Sequence, residues 1–290
     1  MNRKTLRNVF IYGRERLSRC GVDSYALDAE VLLRHITGLD RSMMLTNHEM
    51  ILDDCVIEEY HKCLQLREQR MPVAYITNSV EFMSLSMYID HRALIPRPDT
   101  EILVECALAL IDKLTKNSNS RKISILDLCT GSGCIALALA HYAPGIHVTA
   151  TDLSADALQL ANENARRYAG GANIQFLEGD LYQPVAGLKF DIVIANPPYI
   201  PAGDIESLDA DVRIYEPTAA LNGGADGLEF YRRLCDGAKD ALSPGGVVLF
   251  EIGFNQGVAV TKLLVDAGFI TKIIKDLSGH DRVAFGVPAK

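Results

Sequence analysis

No apolar run in the 290-residue sequence approaches the ~20 residues that a membrane-spanning helix requires. The longest candidate, at 135–140, is too short and lies within a periodic segment, so no membrane association is expected. No secretory leader is visible, because Arg3, Lys4 and Arg7 are not followed by an apolar core. The first 20 residues do carry six bases against one acid, Glu15, a balance also found in organellar transit peptides. No CxxC pair occurs among the seven cysteines, at 20, 55, 63, 106, 129, 134 and 235, which argues for free thiols in a reducing cytoplasm. The seven histidines show neither HxxxH nor HExxH spacing, so no metal is expected. Positive charge is also scarce. The net charge is −8, and residues 1–75 contribute none of it, with 11 Lys+Arg against 11 Asp+Glu. All of the excess lies in 76–290, a poor surface for a phosphate backbone, so direct nucleic-acid binding is not expected.

What is present divides the chain in three. Residues 1–75 read as a small helical domain that carries no catalytic motif and is expected to recognise a protein partner. Leu6, Val9, Phe10 and Leu17 fall at helical spacing. Asp23 is a candidate cap for a second helix with Leu27, Val31 and Leu32 inward, ending at Gly38, and Asp53 or Asp54 for a third with Val56, Tyr60 and Leu64 inward. Residues 76–98 read as a β-hairpin linker, because Met83, Leu85, Met87 and Ile89 alternate with polar neighbours. Pro96 and Pro98 then forbid a regular element, and Asp99 or Thr100 can cap the helix that follows. From 99 to 290 the pattern is α/β. Strands are expected at 122–127, 147–151, 173–177, 190–195, 246–252, 269–275 and 281–287, and helices at 133–142, 155–168, 226–242 and 255–267. Such alternation means a mostly parallel sheet covered on both faces. The short turn at 278–281 demands antiparallel pairing of the last two strands. The expected fold is a seven-stranded doubly wound, Rossmann-like domain of the class I methyltransferase variety.

The strand ending at Asp127 runs into Cys129, Thr130, Gly131, Ser132 and Gly133, and a helix follows. Glycines let backbone approach a ligand, and a helix N-terminus presents free N–H groups. Asp152, 19 residues beyond Gly133 at the next strand end, can accept both hydroxyls of a ribose. Gly131-x-Gly133-x-x-Ala136 also satisfies a dinucleotide pattern. Against NAD stands Asp127, an acid expected to point into the cleft, where it would repel a pyrophosphate but attract the ammonium and sulfonium of S-adenosylmethionine. A buried aspartate capping the glycine turn is the structural alternative. After the third strand, Asp180 can accept from an adenine amino group and Leu181 can pack on the ring.

The most specific feature is Asn196-Pro197-Pro198-Tyr199 at the end of the buried strand 190–195. A planar NH2 group has a delocalised lone pair and two N–H bonds. The Asn196 side-chain carbonyl and the Pro197 backbone carbonyl are two acceptors for those bonds, the prolines stiffen the loop, and Tyr199 can stack on the flat group. Methyl transfer is then an in-line displacement that depends on positioning. This motif suits adenine N6, cytosine N4, guanine N2 or a glutamine amide equally. Asp204, Glu206, Asp209, Asp211 and Glu216 follow with Arg213 the only base, which favours a polypeptide over a nucleic acid.

Taken together, 72–76 (PVAYI), 94–101 (LIPRPDTE), 127–133, 196–200 (NPPYI), the Glu216-Pro217-x-x-Ala220-Leu221-x-Gly223-Gly224-x-Asp226-Gly227-Leu228 segment and Lys275-Asp276-Leu277-x-Gly279-x-Asp281-Arg282 resemble the release-factor glutamine methyltransferases (the HemK/PrmC family), over nearly the whole chain. The resemblance implies transfer of a methyl group from S-adenosylmethionine, leaving S-adenosylhomocysteine, to the side-chain N5 of the glutamine in the Gly-Gly-Gln loop of class 1 peptide chain release factors. It implies that Cys129, Thr130, Gly131, Ser132 and Gly133 form the cofactor loop, that Asp152 holds the ribose and Asp180 and Leu181 the adenine, and that Asn196, Pro197, Pro198 and Tyr199 hold the glutamine. The expected enzyme is a cytoplasmic monomer. Two positions depart from the family pattern: Cys129 stands where glycine is common, and Met71 where arginine is common. The 127–134 segment also occurs in a sister family acting on a large-subunit ribosomal protein, which is the runner-up substrate.

Overall fold

A computed structural model describes residues 4–117 and 122–289. The chain forms two compact units. The first holds the described residues up to Ser79 together with Asp209–Tyr215, and the second holds Val80–Leu208 and Glu216 onward.

The first unit is helical: α1 (Leu6–Arg19), α2 (Tyr25–Thr37), α3 (Arg41–Thr46), α4 (Asp54–Glu68) and α5 (Val73–Thr77). Its core is Leu6, Val9, Leu17, Leu32, Leu33, Tyr60 and Leu64. Leu32 faces the core as expected, but the rest of the expected inward face of α2 is corrected: Leu27 is exposed and Val31 only partly buried, and Ala29 and Leu33 are buried in their place. The expected cap at Asp23 is corrected as well. Ser24 takes the N-cap position and its hydroxyl donates to Asp28, while Gly38, left-handed at φ 69°, ends the helix as expected. Asp28 in turn receives the buried Arg67 guanidinium at 2.7 Å, and Asp211 receives the same side chain at 2.7 Å. Burial works against the Arg67 charge, but the two carboxylates outweigh it and raise its pKa. Through Asp211, and through Tyr215 Oη donating to the Gln69 carbonyl at 2.6 Å, the helix Ala210–Tyr215 belongs to this unit although it lies far along the sequence.

The second unit begins with the hairpin β1 (Val80–Phe82) and β2 (Leu85–Met87). Met83 and Ser84 have φ of 49° and 57° and make the two-residue turn of the hairpin, so Met83 lies in the turn and not, as its alternation with Leu85 and Met87 suggests, in a strand. Phe82, Leu85 and Met87 are buried in the core of this unit. Next come α6 (Pro98–Asn117), β3 (Ser124–Leu128), α7 (Cys134–Tyr142), β4 (His147–Asp152), α8 (Ala155–Ala165), β5 (Ile174–Glu178) and β6 (Phe190–Ala195). After α9, the Ala210–Tyr215 helix of the first unit, follow α10 (Thr218–Leu221), α11 (Glu229–Ala241), β7 (Leu242–Glu251), α12 (Gly257–Asp266), β8 (Phe269–Lys275) and β9 (Asp281–Pro288). Asp99 and Thr100 lie inside the first turn of α6 and do not cap it, because Pro98 already has the helical φ that proline favours at a helix start.

The strand order is β5-β4-β3-β6-β7-β9-β8, parallel except for β9, which runs antiparallel to both of its neighbours. The seven-stranded class I methyltransferase fold follows from this order. Period-two alternation assigns the side chains to two cores. Ile125, Ile192, Ile194, Val247 and Leu249 face the layer of α6 and α7, while Leu126, Leu128, Val193, Val248 and Phe250 face α11 and α12. With both faces covered, the central strands read as continuous apolar runs. The ligand crevice of such a sheet lies at the carboxyl ends of its strands.

One helix glycine is explained by packing. A Cβ at Gly13 would stand 2.0 Å from Tyr60 Oη, whose hydroxyl donates to the Ala29 carbonyl at 3.0 Å. Glycine to alanine inside a helix ordinarily gains up to about 1 kcal/mol. Here Gly13→Ala should lose about 1–3 kcal/mol by overpacking, read as a lower urea midpoint. A gain in that titration would mean that Tyr60 is not held against α1.

Candidate active site

The loop 129–133 joins β3 to α7 and is strained by design of its path: Cys129, Gly131 and Gly133 have φ of 59°, 54° and 78°. Glycine adopts such angles without steric cost, whereas a side chain resists them. Cys129 therefore carries strain at the place where glycine is common in the resembling family. The loop is pinned from several sides. The Thr130 N–H donates to the Thr151 carbonyl at 3.1 Å, and the Thr130 hydroxyl donates to Asp127 at 2.6 Å. The Gly131 N–H donates to Asp152 Oδ2 at 2.8 Å, and the Ser154 N–H to Asp152 Oδ1 at 2.9 Å. At the end of β5 the Gly179 N–H donates to the Asp152 carbonyl, and the Thr151 hydroxyl donates to the Leu181 carbonyl. The ends of β3, β4 and β5 are thus one hydrogen-bonded rim.

Four sequence expectations change in detail. Asp127 does not line an open cleft. It is fully buried beneath the loop, with Oδ1 lacking any partner, and burial pushes its carboxyl up to about 7. Its visible contact is the capping of the glycine turn. Asp180 is engaged by Arg233 of α11 at 2.6 Å. Leu181, at φ 49°, is buried among the core residues of the α11 face, so little of it faces outward. Ser132 is buried, and its carbonyl accepts from Asn164 at 3.1 Å.

Beside this rim, β6 delivers Asn196-Pro197-Pro198-Tyr199. Asn196 Nδ2 donates to the hydroxyl of Thr100, a buried residue, at 3.2 Å. An amide has one carbonyl and one NH2, so this bond leaves Oδ1 as the acceptor end of the side chain. Among the described residues no backbone donor reaches the Pro197 carbonyl. The Tyr199 carbonyl receives Gln256 Nε2 at 3.0 Å, and burial raises its phenol to about 12. The Ile200 N–H donates to the Leu221 carbonyl and the Gly223 N–H to the Ile200 carbonyl, so 221–223 brace the motif from one side. A Cβ at Gly223 would meet Tyr199 Cα at 2.7 Å, which is why glycine stands there.

The remaining motifs converge on the same place. Glu216 is buried, accepts the Ile95 N–H at 3.1 Å and pairs with Arg97. Arg282, which follows the β8–β9 turn, donates to Asp99 at 2.9 Å and to Asp276 at 3.3 Å. Glu251, the last residue of β7, is buried, and burial pushes its carboxyl up to about 7. Thr100 enters the sequence reading only as a cap, and Glu251, Gln256 and Arg233 do not enter it at all. A strand-end acid such as Glu251 is the one signal that could have drawn attention there. The acidic loop is also less open than expected, since Glu216 is neutralised by Arg97 and Asp211 by Arg67 within the first unit. Among the described residues no cluster of potential metal ligands occurs, and no helix is long and apolar enough to cross a membrane.

The PrmC N-terminal domain profile matches residues 8–77, and the methyltransferase small domain profile matches 104–225. The chain is 43% identical to a release factor glutamine methyltransferase of Vibrio cholerae, covering 94% of this chain and 93% of that protein. It is 41% identical to that of Moorella thermoacetica, covering 96% of each, and 37% identical to that of Clostridium acetobutylicum, covering 97% of this chain and 98% of that protein. Among solved structures, the catalytic domain of hMettl16 in complex with an RNA hairpin aligns with a TM-score of 0.54 at 17% identity, over 82% of this chain and 83% of that one, a likeness of fold alone. With near-complete coverage at this identity and the methyltransferase sheet intact, the chain belongs to the family of release factor glutamine methyltransferases.

Proposed function

We propose that this site transfers the methyl group of S-adenosylmethionine to the side-chain N5 of the glutamine in the Gly-Gly-Gln motif of class 1 peptide chain release factors. The observation that carries the reading is the commitment of Asn196 Nδ2 to Thr100. With Nδ2 so committed, the Asn196 carbonyl is left, together with the Pro197 carbonyl, as one of two acceptors for a planar NH2. Holding both N–H bonds fixes the nitrogen and favours its rehybridisation toward a nucleophile. No general base need act before transfer, and alignment supplies most of the rate.

The residues at the rim fit S-adenosylmethionine. The loop 129–133 presents backbone beside open space, since nothing lies within 4 Å of a Cβ built on Gly131. Asp152 Oδ2 accepts the Gly131 N–H and Oδ1 the Ser154 N–H, and a carboxylate has about four acceptor sites, so lone pairs remain for ribose hydroxyls. The Asp127 carboxyl beneath the loop, pushed up to about 7 by burial, would be drawn toward its ionised form by a cationic ligand. When bound, the cofactor supplies an electrophilic methyl group and leaves as S-adenosylhomocysteine. Cys129, Thr130, Gly131, Ser132 and Gly133 would hold its amino-acid end, Asp152 the ribose, and Asp180 and Leu181 the adenine. Tyr199 would stack on the substrate amide.

The helical unit is assigned to recognition of the protein substrate. Its basic start is partly neutralised, because Lys4 pairs with Asp54 and Arg16 with Glu68, and Arg3 lies outside the described residues. Arg7, Arg14 and Arg41 still rim a groove floored by Leu6, Phe10 and Met44. We place the reaction in the cytoplasm, in keeping with seven free thiols.

Mass spectrometry of purified release factor after incubation with the enzyme and S-adenosylmethionine should show one added methyl group on the Gly-Gly-Gln glutamine. Methylation of a large-subunit ribosomal protein instead would replace the substrate. Asp152→Ala should weaken S-adenosylmethionine binding at least about tenfold, since a hydrogen bond to a charged group contributes roughly 1.5–3 kcal/mol. Calorimetric titration giving unchanged affinity would remove Asp152 from the site. Asn196→Ala should bind the cofactor within about tenfold of the unsubstituted enzyme and lose at least about 10²-fold in turnover, because misplacement of a reacting atom carries a cost of that size. Near-normal turnover would show that the chemistry lies elsewhere. Reversing charge at Arg7 and Arg14 together should raise the KM for release factor several-fold and leave kcat unchanged. An unchanged KM would exclude that groove from recognition.

A further inference from the structure

Two segments carrying exposed apolar side chains meet at the carboxyl edge of the sheet, and the transfer itself uses neither. The first is 252–258, between β7 and the first turn of α12. Its Gln256 is buried, with Nε2 donating to the Tyr199 carbonyl at 3.0 Å and to the Gly227 carbonyl at 3.1 Å, so the segment is fastened directly to the Asn196-Pro197-Pro198-Tyr199 motif. On either side of Gln256, Phe254 is 64% exposed and Val258 86%. The second is the β8–β9 turn within 275–282. Asp276 Oδ1 accepts the N–H groups of Ser278 and His280, both at 2.9 Å, the Asp276 N–H donates to the His280 carbonyl at 2.8 Å, and Gly279 takes the left-handed angle, φ 84°. This braced turn carries Leu277 fully exposed. The two segments touch. The Phe254 and His280 rings lie 6.1 Å apart, and a Cβ on Gly257 would stand 2.1 Å from Asp281 Oδ2.

The charges here are answered within the chain. Residues 252–258 carry none. In the turn, Lys275 pairs with Asp281 at 3.4 Å, Arg282 with Asp99 at 2.9 Å and Asp276 at 3.3 Å, and His280 Nδ1 lies 3.7 Å from Asp276. What remains for a partner is Phe254, Val258 and Leu277. Such a face gains little from a phosphate backbone, but covering it with apolar side chains removes its surface from water. Contiguous exposed apolar surface of this kind marks an interaction site. Because the turn is braced before any partner arrives, little ordering cost remains on docking.

We propose that Phe254, Val258 and Leu277 form a docking face for the release factor, on which it seats apolar side chains from the folded polypeptide around the target glutamine. The inference rests on the reading of the site as one that takes that glutamine. The two glycines preceding it have no side chains, so the loop offers little to grip beyond the amide, and affinity has to come from surface beside it. Gln256 makes this face continuous with the motif that holds the amide.

The test compares the full-length enzyme with Leu277→Asp, Phe254→Ala and the double variant, using release factor and S-adenosylmethionine. Losing the burial of two apolar side chains should raise the KM for release factor at least about tenfold in the double variant, with kcat within about threefold and cofactor affinity by calorimetry within about twofold. Leu277→Met, which keeps the apolar contact, should stay close to the unsubstituted enzyme. The replaced side chains are exposed, so thermal midpoints should not move. A photo-reactive benzoylphenylalanine at position 277 gives a readout that needs no turnover: irradiation with release factor should yield an enzyme–release factor adduct. An unchanged KM in the double variant, no adduct, or an adduct only between two copies of the enzyme would overturn the docking face. Normal methylation with either of the first two results removes the face and leaves the reaction. An adduct with release factor that the unsubstituted enzyme does not methylate upholds the face and removes the reaction.

Discussion

Asn196 stands at the end of β6, its side-chain nitrogen held by the Thr100 hydroxyl at 3.2 Å, and much of the second unit is arranged around that bond. A strand and a helix start 96 residues apart in sequence must meet within hydrogen-bond distance. The meeting is secured by the parallel pairing of β6 with β3 and β7, by burial of Leu103 and Val104 of α6 against the sheet, and by Glu216, which accepts the Ile95 N–H and pairs with Arg97 just before the helix. Each of these elements is bland alone. Together they hold one amide, and a few tenths of an ångström at a reacting centre are what a positioning enzyme has to control.

The cofactor side follows the same logic with different means. Its loop takes left-handed backbone angles at three of five positions, an arrangement that would open out if left free. It is held by backbone and side-chain acceptors from the neighbouring end of β4, Thr151 and Asp152, and from beneath by Asp127 of β3. The strain at Cys129 shows how firmly the surroundings hold it, since a non-glycine residue persists at such an angle only when its neighbours leave no alternative. Rigid floor and strained loop are linked, because the strand ends that supply the acceptors are themselves buried on both faces of the sheet.

Charge is distributed with similar economy. The acids that look free in the sequence after Tyr199 are in part internal: Glu216 answers Arg97, and Asp211 answers Arg67 in the helical unit. The case against a phosphate-backbone substrate therefore leans more on the acidic excess of residues 76–290 as a whole than on that one loop.

The alternation of apolar strands with helices, the antiparallel final pair and the glycine loop were all legible in the linear sequence, because each is written in local periodicity and turn chemistry. Asn196-Pro197-Pro198-Tyr199 stood out for the same reason: two prolines and an amide at the end of an apolar strand have few other uses. The order of the last strands, with β9 inserted between β7 and β8, was not legible, since register and edge position depend on which surfaces find each other. Nor could the sequence tell that Asp127 lies beneath its loop or that Thr100 is a partner of Asn196 and no cap. Sequence by itself determined the elements, the motifs and the family. Only the tertiary structure decided which motifs touch, because contacts between residues 50 to 150 positions apart are set by sheet order and helix packing, neither of which leaves a periodic trace in the chain.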